Sequence, residues 1–87
     1  MTNAQRTPMS PFDRLQTLIS RTLKVPADQI TPTTSHEDMP AQWDSMGQVN
    51  LIMSLEEAFG VFIEPEDFER LKSVPAILAY LEAQGAQ

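Results

Sequence analysis

The chain has 87 residues, which corresponds to one small domain near the lower limit for a single hydrophobic core. It has no cysteine, so it can form neither a disulfide nor a thiolate metal site, and any thiol chemistry must come from a cofactor. Its formal net charge of −6 argues against a nucleic-acid partner, because phosphate backbones are bound by clustered Lys and Arg. No apolar run is long enough for a membrane span or a secretory signal, and we therefore expect a cytoplasmic protein.

The negative charge is concentrated in one segment. Residues 1–43 contain as many bases as acids, whereas residues 44–69 contain acids and no base: Asp44, Glu56, Glu57, Glu64, Glu66, Asp67 and Glu69. A surface formed by this segment would attract basic partners. An acidic face that only keeps the protein in solution explains the charge equally well.

Residues 1–10 are polar and are expected to form a loose tail in front of a single domain over residues 11–87. The first helix is expected to begin after Ser10, a good capping residue, with Pro11 at the first helical position. Asp13 then completes a capping-box pattern. Apolar residues follow at spacings of three and four and share one face of this helix: Phe12, Leu15, Leu18, Ile19 and Leu23.

The first helix is expected to end near Lys24, because Pro26 disfavours a helical conformation in the residue before it. Residues 25–43 contain three prolines and no sustained periodicity, which indicates a long loop. Structureless loops of this length are uncommon in compact domains and are often functional. Four apolar residues are expected to hold this loop against the core: Val25, Ile30, Met39 and Trp43.

The second helix is expected to begin after Asp44, whose carboxylate can accept hydrogen bonds from the first helical amides. Gly60 is expected to end it in a left-handed conformation. Glu56 and Glu57 interrupt the apolar pattern and are expected to face water. The remaining pattern predicts one apolar stripe, formed by Met46, Val49, Ile52, Met53 and Phe59 and widened by Leu51, Leu55 and Ala58.

Residues 61–63 are apolar and are interpreted as a buried connector, since the chain contains no other segment that could pair with them as a strand. A short helix is expected from Pro65 to about Leu71, and a last helix after a Ser73 cap, ending at Gly85. The apolar residues of the last helix share a face: Val74, Ile77, Leu78 and Leu81. The sequence therefore predicts an all-α fold, a small bundle of three main helices and one short helix, with a long loop between the first two.

The chemistry-bearing residue is Ser45, which follows Asp44 directly and occupies the first position of the second helix. A side chain at that position is exposed, and the helix amides and dipole favour a negative group attached to it. A phosphodiester on Ser45 would gain from this field. The spacing by itself is also typical of ordinary helix capping, because Asp-Ser begins many helices.

The segment from Asp44 to Met46, followed by the helix over residues 49–60, closely resembles the phosphopantetheine site and second helix of acyl carrier proteins. That family has Asp-Ser-Leu, followed by an apolar helix that ends in Leu-Glu-Glu-x-Phe. The similarity covers about residues 12–84. It implies an acyl-carrier-protein-like fold and a carrier that is not an enzyme. Such a protein shuttles thioester-bound acyl intermediates between the enzymes of fatty-acid, polyketide or related specialised biosynthesis.

The resemblance also assigns roles to residues. It implies that Ser45 carries 4'-phosphopantetheine, which a separate phosphopantetheinyl transferase takes from coenzyme A, and that Asp44 helps to position that complex. It implies that Glu56 and Glu57 are recognised by basic patches on this transferase and on acyl-transferring or condensing enzymes. The residues that line or border its acyl cleft would be Met46, Val49, Met53 and Ile63. We expect a monomer.

The chain departs from the family pattern at several positions. Met46 replaces the usual Leu, which conserves volume. Asn50 stands where carriers of fatty-acid synthesis often have an acid, which weakens the recognition face by one charge. Trp43 before the motif and Gly47 after it resemble the residues found in carriers of specialised pathways more than those of the fatty-acid carrier.

Other interpretations remain open beside the carrier. The chain could be an unmodified acidic module for protein–protein interaction, or an aminoacyl or peptidyl carrier, although it lacks the usual glycine-rich approach to the serine. Residues 36–38 (His-Glu-Asp) are a poor candidate for a metal site, because three adjacent loop residues do not converge on one ion. A hydrolase pair of His36 and Ser45 is disfavoured, because a chain of this size offers no oxyanion hole.

Overall fold

The computed structural model describes residues 10–85, and within them the chain forms three α-helices and three short 3₁₀ helices. The α-helices are α1 (Pro11–Leu23), α2 (Ser45–Phe59) and α3 (Val74–Ala83). The 3₁₀ helices are Ala27–Gln29, His36–Asp38 and Pro65–Arg70. Over residues 10–85 there is no strand beyond an isolated bridge between Ser35 and Ser73. This confirms the predicted all-α bundle; the two 3₁₀ helices within the long loop were not predicted.

The helix ends follow the capping residues. The Ser10 hydroxyl accepts from the Asp13 amide at 3.1 Å, and the Asp13 carboxylate accepts from the Ser10 amide at 3.3 Å, which is the predicted capping box. Gly60 ends α2 with a φ of 65°, a backbone conformation that favours glycine. The Ser73 hydroxyl accepts from the Ala76 amide at 3.2 Å and caps α3. Local sequence thus determines where each helix begins and ends.

The core is one cluster of buried side chains from the three helices and the loop between them. The predicted face of α1 is buried at Leu15, Leu18, Ile19 and Leu23. The predicted face of α2 is only partly correct: Ile52 is buried as expected, whereas Met46 and Met53 are 68% and 57% exposed. Val49 is exposed too. The side chains that α2 buries are Gln48, Leu51, Ile52 and Leu55. This helix is apolar on most of its circumference, so packing against α1 decides which face is buried.

The connector between α2 and the Pro65–Arg70 helix was predicted to be buried, and this is only partly correct. Ile63 is buried at 1% exposure, whereas Phe62 is 70% exposed. The Tyr80 hydroxyl donates to the Phe62 carbonyl at 3.3 Å. Glu56 was expected to face water, but it is half-buried and its carboxylate accepts from the Ile63 amide at 3.0 Å. Glu56 therefore holds the connector against the end of α2.

The loop over residues 24–44 is held at several points along its length, and its four predicted contact residues are buried: Val25, Ile30, Met39 and Trp43. Near α1, the side-chain nitrogen of Gln16 donates to the carbonyls of Ala27 and Ile30 at 2.8 and 2.9 Å. Near α3, the Val74 amide donates to the Thr34 carbonyl at 2.8 Å. The loop therefore has a fixed path that leads to Asp44.

Residues 1–9 and 86–87 lie outside the described residues, so the predicted division into a tail (1–10) and a domain (11–87) stays a prediction. In the part of the chain that is described, no helix is both long and apolar enough to cross a membrane.

Candidate functional site

Ser45 is the first residue of α2, and it is exposed. Asp44 precedes it in an extended conformation, and its carboxylate accepts from the Gly47 amide at 2.8 Å. Because Asp44 supplies the cap, the Ser45 hydroxyl is left to point outward from the helix start. The first amides of a helix lack partners within the helix and give this end a partial positive charge. The site is therefore an exposed hydroxyl in a field that favours an attached anion.

Gly47 allows the preceding loop to lie directly on the first turn of α2. A Cβ atom at this position would lie 2.5 Å from the Gln42 carbonyl oxygen and 3.1 Å from the Cδ2 atom of Leu23. Any side chain would therefore push the loop backbone away from the helix. Nothing in the sequence indicated this close approach, because a single helical glycine has several possible explanations.

A buried hydrogen-bond network joins the loop, α2 and the Pro65–Arg70 helix. The Trp43 indole donates to the Gln48 side-chain oxygen at 2.6 Å. The Gln48 side-chain nitrogen donates to the carbonyls of Phe68 and Leu71, at 2.7 and 3.0 Å. Trp43 and Gln48 are only 3% and 6% exposed, so the bonds of Gln48 to Trp43 and Leu71 are shielded from water, and the bond to Phe68 is partly shielded. We refer to them as the Trp43–Gln48 network.

The sequence contains one sign of this network, which is the position of Gln48 on α2. Gln48 precedes Leu51, Ile52 and Leu55 by three, four and seven positions, so it shares their face of the helix. A polar side chain among buried apolar ones needs hydrogen-bond partners. Its partners lie in distant segments, and only the tertiary structure identifies them.

A cavity of about 620 Å³ lies beside Ser45, between the loop, the start of α2 and the end of the Pro65–Arg70 helix. It is lined by His36, Glu37, Pro40, Trp43, Asp44, Ser45, Gln48, Val49, Phe68, Glu69 and Lys72. The Lys72 ammonium pairs with the Glu69 carboxylate at 2.8 Å. This hydrogen bond is the main reason that the pKa of Glu69 is lowered from its ordinary value, and the charges of Lys72 and His36 act in the same direction. The cavity walls are therefore partly charged and partly apolar.

His36 lies on the wall of this cavity, and its ring is engaged with the backbone. Its Nδ1 atom donates to the Lys72 carbonyl at 3.2 Å, since a carbonyl only accepts. The neighbouring Asp38 carboxylate accepts from the Ser35 amide at 2.8 Å. Within residues 10–85, no group of three or more His, Cys, Asp or Glu side chains is arranged to hold a metal ion.

The four predicted cleft residues are not brought together around this cavity. Val49 is part of its lining, Met46 and Met53 are exposed on α2, and Ile63 is buried in the core. Their role in sheltering an acyl chain stays a prediction. Glu57 is exposed as expected for a recognition residue, whereas Glu56 is engaged with Ile63. The recognition role of these two acids likewise stays a prediction.

An exposed serine at the start of a capped helix, on a small helical bundle with a cavity beside it, suits a domain that carries a covalently attached group. Comparison with known proteins gives the same class. The family described as "Phosphopantetheine attachment site" matches residues 13–81. The acyl carrier protein of Helicobacter hepaticus (strain ATCC 51449 / 3B1) is 36% identical over 76 residues, which are 86% of this chain and 97% of that protein. The acyl carrier protein of Helicobacter pylori (strain G27) is 40% identical over 75 residues, which are 85% of this chain and 94% of that protein.

The chain therefore belongs to the acyl carrier protein family. Members of this family are carriers and not catalysts, and they use 4'-phosphopantetheine as their prosthetic group. The family also implies interactions with transferases and with enzymes that handle acyl groups.

Proposed function

We propose that Ser45 is the attachment residue of 4'-phosphopantetheine. The observation that carries this proposal is that Ser45 is exposed at the first position of α2 while Asp44 supplies the helix cap. The residues fit the group, because a phosphodiester at this position lies next to the free amides of the helix start. A negative group in such a position typically gains about 0.3–1 kcal/mol from the helix dipole.

The attachment step requires little from this chain beyond a presented hydroxyl. The Ser45 oxygen attacks the pyrophosphate of coenzyme A, a new bond to phosphorus forms, and the bond between the two phosphates breaks. The serine proton passes to a base of the transferase, and the nucleotide leaves with the other phosphate. Asp44 keeps the helix start in register for this attack, because its cap fixes the turn that contains Ser45. The arm supplies a terminal thiol, which holds acyl groups as thioesters.

The protein then shuttles acyl groups between partner enzymes of fatty-acid, polyketide or related specialised biosynthesis. Its partners are a phosphopantetheinyl transferase and acyl-transferring or condensing enzymes with basic patches. Glu57 supports this proposal, because an exposed acid on the helix that bears Ser45 would attract such patches. A monomer in the cytoplasm is part of the same proposal.

Intact-mass spectrometry tests the attachment residue. The protein is incubated with coenzyme A and a broad-specificity phosphopantetheinyl transferase. We expect one phosphopantetheine on the wild type and none on Ser45→Ala. Ser54→Ala is the matched control, because Ser54 lies on the same helix and bonds Thr22, and this variant should be modified like the wild type. A wild type that is never modified would overturn the proposal and would favour the unmodified acidic module.

A further inference from the structure

We propose that this carrier presents short acyl groups in the surface cavity beside Ser45 and does not admit a long alkyl chain to its core, because the Trp43–Gln48 network closes the way. This inference rests on the proposed attachment at Ser45. It assigns a substrate class to the carrier, acyl groups of a few carbons, and a function to Gln48.

The first observation is the position of Gln48 relative to Ser45. Gln48 lies about one helical turn beyond Ser45, and its side chain spans the gap between α2 and the Pro65–Arg70 helix. Gln48 and Phe68 both line the cavity, and the hydrogen bond between them forms part of its wall. A chain that starts at Ser45 and turns inward between these two helices would have to pass this bond.

The second observation is that opening this passage leaves polar groups without partners. Separating α2 from the Pro65–Arg70 helix breaks the bonds from Gln48 to both the Phe68 and Leu71 carbonyls. Among the described residues, every buried side-chain nitrogen and oxygen has a hydrogen-bond partner. An alkyl chain offers no replacement donor, so its entry would leave these groups buried and unsatisfied.

The third observation is the cluster of buried side chains behind the network. Leu51, Leu71 and Ile77 belong to one cluster of buried side chains, and each is at most 3% exposed. Close-packed interiors tolerate added methylene groups poorly, because neighbouring side chains are forced out of their preferred rotamers. Admission of a chain would therefore require a rearrangement of the core in addition to the loss of hydrogen bonds.

The cavity beside Ser45 lies on the surface side of the network and is partly polar, unlike the apolar core behind the network. It is open to Ser45, and its walls include the Lys72–Glu69 ion pair and His36. A short acyl group can lie there beside Phe68 and Val49, whereas each further methylene of a long chain would meet charged groups. The sequence-based alternative is a cleft formed by Met46, Val49, Met53 and Ile63, and the following experiment decides between the two.

A chain-length series tests the proposal. Acetyl, butyryl, hexanoyl and decanoyl arms are transferred to Ser45 from the corresponding coenzyme A thioesters, and each product is verified by intact mass. We expect the Tm of the wild type to stay within about 2 °C across the series, and thioester hydrolysis rates to agree within about twofold. A Tm that rises by more than about 8 °C from acetyl to decanoyl, together with slower hydrolysis, would show that the chain enters the core and would overturn the proposal.

Gln48→Met tests whether the network is responsible, since methionine has a similar length and cannot make the hydrogen bonds. We expect the Tm of this variant and the half-life of its thioester to increase with the length of the acyl chain. Gln42→Met makes the same change at an exposed loop position and should keep the flat profile of the wild type. A flat profile in folded Gln48→Met would overturn the role of the network. If Gln48→Met alone does not fold, the double variant Trp43→Phe/Gln48→Met takes its place, because it also removes the indole donor that Gln48→Met leaves buried without a partner. The same outcomes apply to this double variant.

The two proposals fail in different ways. If the mass of the wild type does not change on incubation, attachment at Ser45 is wrong and the cargo inference falls with it. If the arms attach but long chains are sheltered, only the cargo inference is wrong.

Discussion

The two ends of α2 are held to the rest of the protein by different kinds of contact. The amino-terminal end, which bears Ser45, is fixed by the close approach at Gly47 and by the buried bonds of Gln48. At the carboxyl-terminal end, the Arg14 guanidinium lies 4.4 Å from the centre of the Phe59 ring, and Glu56 accepts from the Ile63 amide. Fully buried contacts define a position more narrowly than half-buried ones, because water has less access to replace them. The amino-terminal end of α2, which bears Ser45, is thus held in place more strictly than the carboxyl-terminal end.

Gly47→Ala is the strongest test of this difference at the amino-terminal end. The added Cβ would meet the Gln42 carbonyl, so we expect the free energy of unfolding to fall by about 2 kcal/mol. This loss should appear although alanine is intrinsically better than glycine within a helix by about 1 kcal/mol. Urea denaturation followed by circular dichroism measures it. Asn50→Ala, at an exposed position of the same helix, should be neutral or slightly stabilising. If Gly47→Ala is stabilising, the loop does not lie against the helix at this point.

Glu56→Gln tests the carboxyl-terminal end, where we expect a smaller effect. Loss of the charged acceptor should weaken the bond from the Ile63 amide and lower the free energy of unfolding by about 0.5–1 kcal/mol. The adjacent Glu57→Gln removes the same charge from an exposed position and should stay within about 0.5 kcal/mol of the wild type. Association rates with the transferase, measured at low salt, should fall for Glu57→Gln. Equal losses of stability in Glu56→Gln and Glu57→Gln would show that the hydrogen bond from the Ile63 amide to Glu56 does not stabilise the fold.

Lys72→Met should give the smallest effect, on the cavity wall near the amino-terminal end. Lys72 is the main reason that the pKa of Glu69 is lowered, so its removal should raise that pKa toward the ordinary value. A depressed pKa stabilises the fold above the pKa of the unfolded chain, and this contribution disappears as the pH falls through the folded-state pKa. Wild type and variant should therefore converge in stability at acidic pH. Carboxyl NMR titration of Glu69 measures the shift, and Arg70→Met, which removes the partner of Asp67, should leave it unchanged.

The comparison of α1 with α2 explains how far the sequence could predict the fold. In α1, apolar residues occupy one stripe and polar residues the rest, so the buried face could be read directly. In α2, apolar residues occur at most positions, and two different stripes fit a helical period equally well. The structure buries the stripe that contains Gln48, Leu51 and Leu55 and exposes the one that contains Met46 and Met53. A periodic pattern identifies a face only when the opposite face is polar.

Some features of the candidate site could likewise be predicted from the sequence, and others could not. Asp44 and Ser45 could be identified because capping depends on residues a few positions apart, which the sequence shows directly. The cavity and the hydrogen-bond partners of Gln48 could not be identified from the sequence, because Phe68 and Leu71 are about twenty positions away from Gln48 along the chain. Glu56 was misjudged for a similar reason, since its partner lies in a connector whose path depends on the packing of Ile63.

The sequence by itself determined the helix boundaries, the all-α fold and the serine that follows a capping aspartate, because these depend on short-range hydrogen bonds and backbone preferences. The tertiary structure decided which face of α2 is buried and how its amino-terminal end is held. It also decided what surrounds Ser45, since those contacts join the loop, α2 and the Pro65–Arg70 helix across long stretches of chain. Such contacts form only when the core packs, and packing depends on all of these segments together.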